Sequence, residues 1–294
     1  MGELFADPGV GKSLLAMELA LGCSTGQSKL VSETHWPQWL APKPQPVLYV
    51  AGEMSLHTFQ QRVRAQLTER PAPSPLHLLS SGDLVQQGLP ALSLSLPSVR
   101  EQISQTVKQI GAKLLILDNL DTLMDGAGDE DVYAPVKSWI TQQSLTGLAL
   151  LIVHHAGKSG SQRGTSTRDN PLDYIIRLER LDDSSDRIAF RCTFSKARFV
   201  DKLLARSFEA EFKPLALPHA KWLFRTSQAS KLEQFMDIVQ TCNYFNYKDI
   251  AMEMRVAYSH VYKLRNQAVE RGLWDDRWNK RQKKNLEQME AKAN

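Results

Sequence analysis

Apolar positions recur along the chain in two alternating periods. Aliphatic runs stand at Leu4-Phe5, Val47–Ala51, 76–79, Leu114–Asp118 and 148–153. Such short unbroken runs predict strands buried on both faces of a parallel sheet. Between them, apolar residues three and four apart predict helices. One runs from Leu14 to about Gly22. A second carries Leu56, Phe59, Val63 and Leu67 on one face, with Ser55 placed to cap it. A third covers 98–110 through Val99, Ile103, Val107 and Ile110, and a fourth runs from about Tyr133 to Ser144. Pro37, Pro42, Pro44 and Pro46 exclude a regular element from 23–46, and 80–97 reads as a Gly/Pro-punctuated stretch. Residues 174–180 and 187–194 alternate and predict antiparallel edge strands. Strands alternating with helices, each strand ending in polar residues, place residues 1–226 in the α/β class. The expectation is a doubly wound, mainly parallel sheet with its ligand at the strand C-termini.

A composition change near 225–230 marks a linker. Beyond it, Leu232, Phe235, Ile238 and Val239 line one helix, 247–254 forms a second and 258–269 a third, stopped by Gly272. Residues 230–276 therefore predict a small helix-turn-helix domain, winged-helix-like in layout. A basic tail, 277–294, holds Arg277, Lys280, Arg281, Lys283 and Lys284.

The 294 residues suit one large domain and one small one. An apolar share of 42% and a charged share of 23% are those of a soluble protein with a core. No apolar run approaches the ~20 residues of a membrane span, and no signal peptide opens the chain. Cys23, Cys192 and Cys242 lie far apart and read as buried thiols, which with the missing leader predicts a cytoplasmic protein. The net charge of +4 makes any basic partner surface local. The chain enters a strand almost at once, which predicts that an upstream strand or adenine-side segment is missing.

Candidate chemistry begins at the first strand. Ala6-Asp7-Pro8-Gly9-Val10-Gly11-Lys12-Ser13 links it to a helix starting at Leu14. Strand, glycine-bearing loop, Lys-Ser and helix is the context of a phosphate-binding loop, G-x-x-x-x-G-K-[ST], met except for Ala6 at its first position. Asp7, Pro8, Gly9, Val10, Gly11, Lys12, Ser13 and Leu14 are expected to hold ATP through backbone N–H groups and the Lys12 charge. Ser13 and Asp118 are expected to hold Mg²⁺, the alternative for Asp118 being an acid that merely ends a strand. Glu53, also at a strand end, can orient the attacking water, or can simply suit the dipole of the next helix. His154 and His155 sit where a γ-phosphate sensor lies, or are loop-entry histidines. Lys158, Arg163 and Arg168 in the small-residue loop 156–171 suit a nucleic-acid backbone, or are only solvated. Lys196 and Arg198, two apart at a strand end, are positioned to reach a neighbour's nucleotide, or form a surface pair. Lys263 and Arg265 on the last helix are candidates for DNA phosphates, the alternative being a face that packs against protein.

These segments together resemble the RecA-fold ATPases of the RepA-like hexameric helicase family. The residues that carry the resemblance are 6–13, 49–55, Leu114–Asp118, 153–158 with 163–166, and 195–198. They span residues 1 to about 200. The resemblance implies ATP and Mg²⁺ as cofactors, Glu53 as catalytic glutamate, Lys12 and His155 as catalytic partners, and Lys196 and Arg198 acting in trans. It implies single-stranded DNA at loop 156–171 and a homo-oligomer, a hexameric ring. Ala6 and the missing upstream segment depart from the pattern. The C-terminal unit lies outside it and suits duplex DNA, or a primase or initiator partner. The leading expectation is a ring helicase of a plasmid, phage or integrated element. A recombination or repair ATPase and an ATP-switched DNA-binding regulator stay open.

Overall fold

The aliphatic runs of the first 155 residues become five parallel strands. A computed structural model describes residues 1–27, 43–67, 75–124, 130–155, 172–181, 186–198, 205, 207–214, 220–226, 231–241, 246–270 and 274. The strands are β1 (Gly2–Ala6), β2 (Val47–Ala51), β3 (Leu76–Ser80), β4 (Leu114–Asp118) and β5 (Ala149–His155). Four more follow: β6 (Tyr174–Arg180), β7 (Ile188–Ala197), β8 (Phe208–Pro214) and β9 (Ala220–Thr226). Together they form one sheet in the order β3-β2-β4-β5-β1-β6-β7-β8-β9.

Helices cover both faces. α1 (Lys12–Thr25) and α2 (Leu56–Gln66) pack on one side, where Leu14, Leu15, Met17 and Phe59 meet Leu4, Tyr49, Ile116 and Val153. After the short α3 (Ser81–Gln86), α4 (Pro97–Ile110) and α5 (Glu130–Leu145) take the other side. There Ile103, Val136, Trp139 and Ile140 meet Phe5, Leu48, Leu115 and Ile152. Successive residues of a strand feed opposite clusters, as the two-residue period requires. This is the doubly wound arrangement. Ser55 caps α2, its hydroxyl accepting from the Thr58 N–H at 3.3 Å.

Two expectations change. Residues 174–180 and 187–194 do not end the sheet. β6 runs parallel to β1 and antiparallel to β7, and β8 and β9 extend the sheet beyond them. Phe208, Ala210 and Phe212 point into the core while Glu209 and Glu211 pair with Arg191 and Arg187 across the ladder. Residues 80–97 contain α3, capped by the Ser80 hydroxyl. Cys192 is buried and Cys23 half-buried, both as free thiols. No helix among the described residues is long and apolar enough to cross a membrane.

The chain divides into two compact units, Met1–Thr226 and Ser227–Asn294. In the second, α6 (Lys231–Thr241), α7 (Tyr247–Glu253) and α8 (Tyr258–Glu270) share a core of Leu232, Phe235, Val239, Ile250, Met254, Val261, Leu264 and Ala268. The Asn246 side chain caps α7.

Candidate nucleotide site

Parallel pairing aligns the C-terminal ends of four neighbouring strands. Ala6 of β1 faces His155 of β5, and Ala51 of β2 faces Asp118 of β4. The residues at and after these ends converge at one end of the parallel strands.

The loop after β1 turns through two positions that only glycine occupies without strain: Gly9 at φ 75° and Gly11 at φ 116°. Gly11 opens α1, and no side chain caps that helix. Its first-turn amides and dipole therefore remain for an anion. Lys12 is 6% exposed, and its ammonium donates to the carbonyls of Ala6 (2.8 Å) and Asp7 (2.9 Å). It also donates to His155 Nδ1 at 3.2 Å. Burial lowers the Lys12 pKa, against the pull of Asp118, Asp7, Glu53 and Asp121. A buried cation held by neutral acceptors at a helix N-terminus fits a polyphosphate.

Asp118 ends β4 almost fully buried. Tyr49 on β2 donates its hydroxyl to Asp118 Oδ2, and Ser13 also bonds the carboxylate. Burial raises the Asp118 pKa; the bonds from Tyr49 and Ser13 work against that rise. Two oxygen ligands, Ser13 and Asp118, thus stand together beside Lys12, a donor set that fits a hard cation such as Mg²⁺.

Glu53 follows β2, and its side chain is 61% exposed, open to water. Asn119 Nδ2 donates to Glu53 Oε1 at 2.9 Å. His155 faces the same group, with Nε2 3.9 Å from Glu53 Oε1. Burial and the neighbouring Lys12 charge lower the His155 pKa, which favours the neutral imidazole. His154 turns away: its Nδ1 lies 3.1 Å from Asp121 Oδ2, which also accepts from the His155 backbone N–H at 3.2 Å. Asp121 therefore clasps the end of β5.

The structure brings together Lys12, Ser13, Glu53, Asp118 and His155. It keeps Lys196 and Arg198 apart from them. Ala197 pairs with Tyr174, and Tyr174 with Gly2, so the end of β7 lies at the opposite end of β1 from the loop. Four residue steps of strand separate the two levels, about 13 Å. Loop 156–171, with Lys158, Arg163 and Arg168, lies outside the described residues, as does the tail 277–294. On α8, Lys263 is exposed, while Arg265 lies over the Trp274 ring at 5.4 Å.

Three residues near the site carried no sequence signal of their own. Tyr49 sits inside an aliphatic run and reads as core. Arg180, at the end of β6, brings its guanidinium 3.1 Å from where a Cβ on Gly9 would be. Asn119 reads only as a neighbour of Asp118.

A site of this order, loop and helix first and buried strand-end acid second, defines a RecA-fold phosphate-loop ATPase. The model of the AAA domain family matches residues 1–161, and the chain belongs to that family. It is 25% identical over 186 residues to the DNA repair protein RadA of Halalkalibacterium halodurans, a match covering 59% of this chain and 31% of that protein. The chain thus spans about a third of that relative's length. Among solved structures it is similar to a KaiC-like protein of Pyrococcus horikoshii, at 14% identity and a TM-score of 0.47. That match covers 76% of this chain and 88% of the other. It is also similar to the flagellar accessory protein FlaH of Methanocaldococcus jannaschii, at 11% identity and a TM-score of 0.46, with the same two coverages.

Proposed function

We propose that the chain is a DNA-dependent ATPase that works as a ring-forming replicative helicase of the RepA-like kind. The observation that carries the ATPase chemistry is the meeting of Lys12, Ser13, Asp118, Glu53 and His155 at one end of the parallel strands. Lys12 turns from the Ala6 and Asp7 carbonyls to the β- and γ-phosphates. Ser13 and Asp118 hold Mg²⁺, which supplies charge neutralisation on the phosphate oxygens. Glu53 takes a proton from a water that attacks the γ-phosphorus. The bond to the β–γ bridging oxygen breaks, giving ADP and phosphate. His155, next to Lys12 and Glu53, registers whether the terminal phosphate is there and passes that to the segment that follows it, 156–171.

The motor reading rests on the sequence resemblance and on the order of these motifs. Loop 156–171 is assigned to single-stranded DNA through Lys158, Arg163 and Arg168, and the last helix to DNA through Lys263 and Arg265. Lys196 and Arg198 complete a neighbour's site in a hexameric ring. A second reading, a recombination or repair ATPase, is favoured by the likeness to RadA. An ATPase assay with and without single-stranded DNA, paired with strand displacement on a forked duplex, tests the proposal. DNA-stimulated hydrolysis that is lost in Lys12→Ala, together with displacement, is expected. Hydrolysis with filaments and strand pairing but no displacement would favour the repair reading. Wild-type turnover in Lys12→Ala would overturn the phosphate-loop assignment.

A further inference from the structure

Asn119 lies at the junction of three parts of the site. It follows Asp118 and is 5% exposed. Its carbonyl end is fixed, because Oδ1 accepts from the Thr122 backbone N–H at 3.0 Å, while the Thr122 hydroxyl, with one proton, lies 3.1 Å from both Oδ1 and the Asn119 backbone carbonyl. Thr122 is in turn pressed against Gly52, where a Cβ would collide with its Oγ1. Gly52 immediately precedes Glu53. With the Thr122 N–H, which only donates, on Oδ1, the amide has one orientation, assigned by that bond. Nδ2 then faces Glu53 Oε1 at 2.9 Å and His155 Nε2 at 3.1 Å.

An NH₂ group has a hydrogen for each of these partners, and a carboxylate always accepts. His155 does not. The Lys12 ammonium only donates, and it faces Nδ1. A neutral imidazole accepts at one nitrogen and donates at the other. While Lys12 donates to Nδ1, Nε2 carries the proton and cannot accept from Asn119. Once Lys12 turns to a phosphate, the ring proton can sit on Nδ1, and Nε2 accepts from Asn119. The exchange goes through solvent, which reaches a side chain 26% exposed, and leaves the ring charge unchanged.

We infer that Asn119 is a positioning residue that aims Glu53, and that through His155 it makes this aim depend on whether Lys12 is engaged by phosphate. The inference rests on the reading of Glu53 as the base. Asn119→Asp in the full chain isolates the donor, because the new carboxylate still accepts from Thr122. Misaiming a reacting group costs up to about 10²-fold, so kcat is expected to fall about 10- to 10²-fold with the KM for ATP changed less than about threefold. Asn119→Ala should give the same split without adding a charge beside Glu53, and serves if the Asp variant fails to fold. In a Glu53→Gln background either change should cost less than about twofold more, because residues acting as one unit are not additive. Combined with His155→Ala, the loss should fall short of the product of the single losses.

Wild-type kcat in both Asn119 variants, or a full multiplicative loss on top of Glu53→Gln, would overturn the role while leaving Glu53 in place. A strictly multiplicative loss with His155→Ala would overturn the His155 link. Wild-type turnover in Glu53→Gln itself would remove the base and this inference together.

Discussion

Lys12 Nζ and His155 Nδ1 are 3.2 Å apart; His155 ends β5, and Lys12 opens α1 after the loop that leaves the adjacent, in-register β1. Ala6, whose carbonyl also accepts from Lys12 Nζ, pairs with His155 across the two strands. Removing the imidazole leaves Lys12 on the Ala6 and Asp7 carbonyls. His155→Ala is therefore expected to bind Mg-ATP within a few-fold of wild type and to hydrolyse it about 10- to 10²-fold more slowly. Nucleotide titration beside steady-state kinetics checks both halves.

Glu53→Gln separates binding from chemistry. The amide keeps the shape and the contact with the Asn119 region but cannot take a proton. Loss of a general base costs about 10²–10⁴-fold, so turnover should fall by that much while ATP affinity holds. Normal turnover would move the base elsewhere, with Asp121 the next candidate.

The clasp at Asp121 predicts a pH dependence of stability. Burial alone would raise its carboxyl; the hydrogen bond and charge of His154 and the His155 N–H outweigh that and hold it below its usual value. A carboxyl whose folded pKa is depressed stabilises the fold above its unfolded value, about pH 3.9, and that contribution is lost as pH falls through the lower folded value. Asp121→Asn should cost about 1–3 kcal/mol at pH 7. The gap between variant and wild type should narrow below about pH 4. Denaturant unfolding at both pH values measures it.

Lys196 and Arg198 cannot serve the loop of their own subunit from the far end of β1. Mixing Arg198→Ala subunits with Lys12→Ala subunits is expected to restore part of the activity, because some interfaces then join an intact loop to an intact Arg198. Absence of recovery at every ratio, with subunit exchange shown, would assign the pair a local role at the strand end.

The exposed Lys263 should contribute to DNA binding through phosphate alone. Lys263→Ala in the full chain is expected to lower the salt dependence of duplex binding by about 0.9 in log–log slope. Arg265→Ala should also destabilise the second unit, since its guanidinium covers Trp274, which packs against Phe235.

Local spacing carried much of this molecule. The aliphatic runs made β1 to β5 legible, and Asp118 and His155 at their ends, with Lys12 where the loop after β1 meets α1, could be picked out with them. β8 and β9 were not legible, because the Glu209 and Glu211 alternation makes sense only against Arg191 on β7 and Arg187 just before it, 18 and 24 residues earlier. Asn119 was hidden for the same reason. Its contact with Glu53 arises from the pairing of Ala51 with Asp118, which no spacing along one chain expresses. The short α3 fell below the length at which a helical period can be read.

The loop after β1 and the Lys196–Arg198 pair at the end of β7 lie at opposite ends of the sheet's strands. If Lys196 and Arg198 act in trans, as proposed, a subunit of this build has a receiving edge and a giving edge. Where giving meets receiving, the contact is head to tail, and each copy that joins presents a fresh edge to the next. Whether such a series closes on itself or runs on as a helix depends on the rotation between successive copies. A change of a few degrees at that contact, with every catalytic group untouched, would separate an encircling motor from a filament.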